Sequence, residues 1–96
     1  MRMQDKVAVI IGAGQSPGEG MGNGRAVATL FAREGASVLA VDRDGDSAAE
    51  TAQLINDAGG RADSCVADVV DETSLKAAIE QAVGQFGRID VLHNNV

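Results

Sequence analysis

A continuous apolar run at 7–11 and three further short stretches rich in apolar residues alternate along the chain with three longer stretches in which apolar residues recur every three or four positions. Continuous apolar runs are typical of parallel strands covered on both faces, and the longer periodicity is typical of amphipathic helices. The predicted strands are 6–11, 37–41, 62–67 and 89–92. The order βαβαβαβ with right-handed crossovers predicts a parallel sheet in the strand order 3-2-1-4.

Glycines and aspartates mark the predicted helix ends. Gly35 and Gly87 stand where left-handed caps would close the first and third helices, and Asp71 is placed to cap the start of the third. The second helix is predicted to begin near Asp46 and to be ended by Gly59-Gly60. These signals support helices packed on the sheet.

A glycine-rich turn from Gly12 to Gly24 joins the first strand to the first helix. The N–H groups and the positive dipole end of that helix attract a pyrophosphate, and glycines let it approach the backbone. Asp42 ends the second strand 18 residues after Gly24, close to the roughly 20 expected for a carboxylate that accepts ribose hydroxyls. The pattern therefore predicts a dinucleotide site, against the alternative of a flexible glycine loop with a solvated Asp42.

Four motifs together resemble one family. They are Gly22-Asn23-Gly24-Arg25-Ala26, the acid Asp42, the pair Asp68-Val69, and the terminal run Asp90-Val91-Leu92-His93-Asn94-Asn95. The chain is similar, over nearly all of its length, to the N-terminal part of the short-chain dehydrogenases/reductases. The resemblance implies an α/β, Rossmann-like three-layer sandwich. Residues 1–96 would be the N-terminal part of a single NAD(P)-binding domain, before its catalytic half.

The resemblance also implies roles for individual residues. Asp42 would favour NAD, since its charge repels the 2′-phosphate of NADP, although Arg43 could pair with that phosphate and keeps NADP open. Asp68 and Val69 would hold the adenine. Asn95, with Asn94 before it, would tie the central sheet together and reach the adenosine ribose through main-chain groups.

The glycine turn departs from the family pattern. Gly12 to Gly22 spans ten residues where Gly-x-x-x-Gly spacing spans four, so about six residues are inserted within 15–21. With the alignment anchored on Gly24-Arg25-Ala26, the glycines expected at the pyrophosphate are Gly12, Gly22 and Gly24. A longer first turn also keeps the enoyl-reductase branch of the family open as an alternative.

The family's catalytic dyad is missing from these 96 residues, which contain no tyrosine. Relatives use Tyr-x-x-x-Lys with an upstream serine, all of which would lie beyond Val96, so no catalytic residue is predicted here. The implied activity is hydride transfer between NAD(H) and an alcohol or carbonyl substrate. The alternatives are a non-catalytic nucleotide-binding module or truncated remnant, and, less well supported, a methyltransferase that binds S-adenosylmethionine.

Charge and the remaining polar residues exclude other classes. The net charge is −6 without a basic cluster, which disfavours nucleic acid and anionic membranes as partners. No apolar run approaches membrane-spanning length, and a lone Cys65 in an apolar strand suggests a buried thiol in a reducing cytoplasm. His93 has no partner at metal spacing, so no metal is expected. Arg25 is expected to be a solvated helix residue, with contact to a phosphate as the alternative. A homo-oligomer, by analogy a tetramer, is expected.

Overall fold

Strands and helices alternate strictly in the computed structural model, which describes residues 3–14, 23–68 and 71–94. The strands are β1 (Val7–Ile11), β2 (Ser37–Asp42), β3 (Arg61–Val66) and β4 (Val91–Asn94). The helices are α1 (Asn23–Arg33), α2 (Gly45–Asp57) and α3 (Glu72–Phe86).

The strands form one parallel sheet in the order β3-β2-β1-β4, as predicted. Val7 pairs with Ser37 of β2, while Ala8 pairs with Val91 of β4. Since all the strands are parallel, their carboxyl ends meet at one edge of the sheet and their amino ends at the other. These are called the carboxyl edge and the amino edge below.

The core lies on both faces of the two central strands, whose apolar side chains are almost completely buried. Helices α1 and α2 cover one face, around Ile10 and Val38, and Ile55 of α2 packs there. Helix α3 covers the other face, around Val9 and Leu39. This burial on two faces explains why the central strands read as continuous apolar runs.

The predicted helix ends are confirmed. Gly35 and Gly87 have φ angles of +101° and +86°, in the left-handed region that favours glycine. The Asp71 carboxylate accepts from the N–H groups of Thr73 and Ser74 at 3.0 and 3.2 Å and so caps α3. Helix α2 begins one residue before the predicted Asp46 and is capped by Asp44.

The predicted fourth strand, 89–92, is wrong by two residues at each end, since β4 is Val91–Asn94. Asp90 precedes the strand, where its backbone N–H donates to the Val7 carbonyl at 2.9 Å and its carboxylate accepts from the Val7 N–H at 2.9 Å. Ile89 packs instead against the α3 core cluster. The start of β4 is therefore determined by its pairing with β1 and not by where the apolar residues begin in the sequence.

The prediction that Cys65 is buried is wrong, because Cys65 is only half-buried. Strand β3 forms one side of the sheet, and both of its end residues, Arg61 and Val66, are exposed. Partial burial raises the pKa of the Cys65 thiol, and the nearby Asp63 carboxylate raises it further. A raised pKa keeps this thiol protonated and weakly nucleophilic.

Candidate functional site

The glycine turn bends over the carboxyl end of β2 as soon as β1 ends. Gly12 has a φ of +77°, which residues with a side chain rarely adopt. The N–H groups of Gly12 and Ala13 both donate to the Val41 carbonyl, at 2.8 and 3.0 Å. The first residues of the turn are therefore held against the neighbouring strand at the carboxyl edge.

Helix α1 begins in direct contact with this turn. A Cβ atom added to Gly24 would lie 1.6 Å from the Gly12 carbonyl oxygen, which leaves room only for glycine. This close approach brings the N-terminus of α1 to the carboxyl edge, where its N–H groups and dipole suit an anion.

Asp42 ends β2 with its carboxylate anchored by two backbone N–H groups. One carboxylate oxygen accepts from the Gly14 N–H at 2.8 Å and the other from the Asp44 N–H at 3.0 Å. A Cβ atom on Gly14 would lie 2.7 Å from the first oxygen and 2.4 Å from the Ser47 hydroxyl oxygen. An ionised carboxylate accepts about four hydrogen bonds, so Asp42 retains acceptor capacity that fits the two hydroxyls of a ribose.

Asp68 lies at the same edge, just after β3. The Ala67 N–H donates to the Asp42 carbonyl at 3.1 Å, which brings the end of β3 beside the end of β2. The Asp68 N–H donates to the Ser74 hydroxyl at 3.2 Å, and the Asp68 carbonyl accepts from the Asp71 N–H at 3.0 Å. Ser74 in the first turn of α3 and its cap residue Asp71 therefore hold the backbone of Asp68, one of the two residues predicted to contact adenine.

The structure thus places four of the predicted site residues at the carboxyl edge: Gly12, Gly24, Asp42 and Asp68. The other three, Gly22, Val69 and Asn95, lie outside the described residues, as does the inserted part of the turn. Their assignment stays a prediction.

The prediction that Arg25 is solvated is wrong, since the residue is only 6% exposed. Its Nε donates to the Thr51 hydroxyl at 2.9 Å and one terminal nitrogen donates to the Ser47 carbonyl at 3.3 Å. The other terminal nitrogen pairs with the exposed Glu50 carboxylate at 3.3 Å. Arg25 therefore joins α1 to α2 below the glycine turn.

Sequence reasoning missed Ser47 and Thr51, two buried polar residues of α2. The Thr51 hydroxyl donates to the Ala13 carbonyl at 2.8 Å, so a helix far along the chain supports the glycine turn. Their spacing of four places both on one helix face, and this was the only signal in the sequence.

Two further sequence predictions concern His93 and the membrane. His93 is half-buried in β4, and among residues 3–14, 23–68 and 71–94 no three His, Cys, Asp or Glu side chains are grouped to hold a metal ion. Within the same residues, no helix combines the length and the apolar character needed to cross a membrane.

The family model for short chain dehydrogenase matches residues 6–96. The chain belongs to the short-chain dehydrogenase family. An uncharacterised oxidoreductase of Bacillus subtilis is 43% identical over 94 residues, covering 98% of this chain and 32% of the relative. The 7α-hydroxysteroid dehydrogenase of Escherichia coli K12 is 36% identical over 95 residues, covering 99% of this chain and 35% of the relative.

Solved short-chain dehydrogenase structures share the fold. A putative short-chain dehydrogenase/reductase from Burkholderia xenovorans matches with a TM-score of 0.90 and 48% identity, over 99% of this chain and 37% of that one. A 7α-hydroxysteroid dehydrogenase complexed with NADH and 7-oxo glycochenodeoxycholic acid matches with a TM-score of 0.87 and 35% identity, over 95% of this chain and 33% of that one. The chain spans about a third of the length of these short-chain dehydrogenases.

Proposed function

We propose that the carboxyl edge binds NAD(H), with NAD preferred over NADP, as the cofactor-binding part of a short-chain oxidoreductase acting on an alcohol or carbonyl substrate. The observation that carries the proposal is the Asp42 carboxylate, anchored beside the glycine turn by the Gly14 and Asp44 N–H groups with acceptor capacity to spare. Family membership supports the oxidoreductase class.

The residues fit the adenosine and pyrophosphate half of the cofactor. Asp42 would accept from the ribose hydroxyls, and its charge would repel a 2′-phosphate. The N-terminus of α1, closed onto the turn at Gly24, would receive the pyrophosphate. Half-buried Asp68 would accept from the adenine amine, while Val69, Asn95 and Gly22 keep the roles that the resemblance implies.

The bound nicotinamide would supply hydride chemistry, and the protein would supply binding and orientation. Because the chain spans about a third of its relatives, we place the catalytic residues and the substrate pocket in the rest of such a protein. Named relatives include a 7α-hydroxysteroid dehydrogenase and a 3-oxoacyl-[acyl-carrier-protein] reductase, which act on hydroxyl and oxo groups. These support an alcohol or carbonyl group as the reacting centre.

The cofactor preference is tested by titrating the full-length protein with NADH and NADPH. We expect NADH to bind at least about tenfold more tightly, and Asp42→Asn to narrow this ratio by about tenfold, because it removes the repelling charge. Asp44→Asn is the matched control: it removes a neighbouring charge, and asparagine caps a helix as well as aspartate does, so the ratio should stay within about twofold. Equal ratios for the wild type and Asp42→Asn would contradict the assignment of Asp42.

The reaction class is tested separately, by following NADH absorbance in the full-length protein with a panel of ketones and secondary alcohols. Turnover supports the oxidoreductase. Binding of NADH without turnover on any member of a broad panel would favour the non-catalytic module. Tight binding of S-adenosylmethionine alone would overturn the proposal.

A further inference from the structure

The peptide group that joins Ala13 to Gly14 is held at both of its polar ends. Its carbonyl accepts from the Thr51 hydroxyl at 2.8 Å, and its N–H donates to the Asp42 carboxylate at 2.8 Å. We propose that Thr51, which Arg25 holds in place, is a positioning residue. It sets the orientation of this peptide group and thereby the position of the Asp42 carboxylate. The inference rests on the proposed binding of NAD(H) at this edge.

The geometry of a trans peptide makes this coupling direct. The carbonyl and the N–H of one peptide group point in opposite directions. When the Thr51 hydroxyl of α2 binds the carbonyl on one side, the Gly14 N–H must therefore point toward Asp42 on the other. If the peptide turned over, the Ala13 carbonyl oxygen would face the Asp42 carboxylate and the two negative groups would repel. The Thr51 hydroxyl therefore selects the orientation in which Gly14 donates to Asp42.

Arg25 restricts the directions in which the Thr51 hydroxyl can donate. Its Nε donates to the hydroxyl oxygen at 2.9 Å, so the hydroxyl proton points elsewhere. A threonine inside a helix commonly donates to the carbonyl four residues earlier, here Ser47, at 3.2 Å. That carbonyl also accepts from Arg25 at 3.3 Å, and the Ala13 carbonyl is nearer to the hydroxyl at 2.8 Å.

Burial makes the arrangement hard to replace with water. Thr51 is completely buried and Arg25 nearly so. Loss of the Thr51 hydroxyl would remove one hydrogen bond from the Ala13 carbonyl and one from the Arg25 Nε, in a poorly solvated region where hydrogen bonds are strongest. The chain thus has a buried support for a turn whose other side faces the proposed cofactor site.

Two substitutions of Thr51 separate the hydroxyl from the shape of the side chain. Thr51→Val keeps the shape and removes the hydroxyl, whereas Thr51→Ser keeps the hydroxyl. In the full-length protein we expect Thr51→Val to weaken NADH binding about tenfold and to narrow the preference for NADH over NADPH. Thr51→Ser should restore most of both. The preference matters because a loss of stability alone would weaken both cofactors equally.

Hydrogen exchange at the Gly14 N–H gives a readout that needs no cofactor. Exchange should be slow in the wild type and Thr51→Ser, and faster in Thr51→Val, in peptides that contain Gly14. If the wild type binds neither cofactor but this pattern holds, the proposed function fails while the positioning role stands. Unchanged exchange in Thr51→Val would overturn the positioning role whatever the cofactor does.

Three other outcomes would also overturn the inference. They are a folded Thr51→Val with wild-type NADH affinity and preference, equal losses in the valine and serine variants, and a proportional loss of both cofactors in Thr51→Val. If Thr51→Val does not fold, Arg25→Lys takes its place, since a lysine keeps the charge but cannot hold Thr51 and the Ser47 carbonyl together. A several-fold loss of NADH affinity with faster Gly14 exchange is expected, and wild-type behaviour in both would contradict the role.

Discussion

The two edges of the sheet are built differently. At the carboxyl edge, backbone and side chains approach so closely that Gly14 and Gly24 have no room for a Cβ atom. The N–H groups of residues 12–14 are bonded to Val41 or Asp42, and the Ala13 carbonyl is bonded to Thr51. At the amino edge, an open groove of about 720 Å³ lies between the ends of α1 and α2. Its lining includes Gln4, Gly35, Leu54, Gly59 and Arg61.

The difference shows that open space alone does not make a cofactor site, which also needs polar groups in fixed orientations. The groove at the amino edge offers space, but a cofactor with a pyrophosphate and a ribose needs oriented N–H groups and a carboxylate. Those groups are gathered at the carboxyl edge, where ligands bind in open α/β sheets. Three predictions compare what each edge contributes to the free energy of unfolding.

The largest effect is expected at Gly24. In Gly24→Ala the new Cβ atom would meet the Gly12 carbonyl oxygen. The position of a Cβ atom is fixed by its own backbone and the oxygen is a backbone atom, so no side-chain rotation can relieve the contact. We expect the free energy of unfolding to fall by about 4 kcal/mol or more, measured by urea unfolding of the full-length protein.

Gly59→Ala is the matched control at the amino edge. Gly59 has a φ of +92° but nothing within 4 Å of an added Cβ atom, so only its backbone conformation is strained. The expected loss is about 1 kcal/mol. Equal losses in the two variants would show that the carboxyl edge is not the tighter of the two.

An intermediate effect is expected in the floor of the groove. Ile55 is 2% exposed and packs in the α1/α2 core, while its neighbour Leu54 is 43% exposed. Ile55→Ala should lower the free energy of unfolding by about 3 kcal/mol, and Leu54→Ala by less than about 1 kcal/mol. Similar values for both would mean that the groove is covered in solution and not open.

The smallest effect concerns pH at the amino edge. Asp90 accepts from Arg88 and from the Val7 N–H, and these bonds, the Arg88 one first, hold the pKa of the Asp90 carboxyl below its usual value. A carboxyl whose pKa is lower when folded stabilises the fold above its unfolded pKa and loses that contribution as the pH falls through its folded pKa. We expect stability to decline below about pH 4, and Asp90→Asn to flatten this decline. If Asp90→Asn loses stability below about pH 4 as steeply as the wild type, the Asp90 carboxyl is not the cause of the decline.

The sequence was sufficient for most helix ends, because these depend on local signals, and for the strand order, because alternating strands and helices with right-handed crossovers allow few arrangements. Apolar runs identified β1 and β2, and Gly35, Asp71 and Gly87 lie where their backbone preferences predicted. The start of β4 was misplaced because it depends on hydrogen bonds to Val7, which lies at the other end of the chain.

The support of the site was less accessible to sequence reasoning than its surface. Gly12, Gly24 and Asp42 form a recognisable spacing, and the structure brings them to one edge. The buried pair of Arg25 and Thr51 is separated by 26 residues, and an arginine by itself predicts a solvated position. A single sequence does not show which polar residues meet inside the fold.

Hydrogen–deuterium exchange of the full-length protein with and without NADH tests the central claim most directly, because it reads both edges in one experiment. The account predicts protection of the carboxyl edge, in peptides covering residues 11–14, 41–45 and 67–68, and little change in peptides covering 33–36 and 58–61 at the amino edge. Protection at the amino edge, with the turn and Asp42 unaffected, would contradict it.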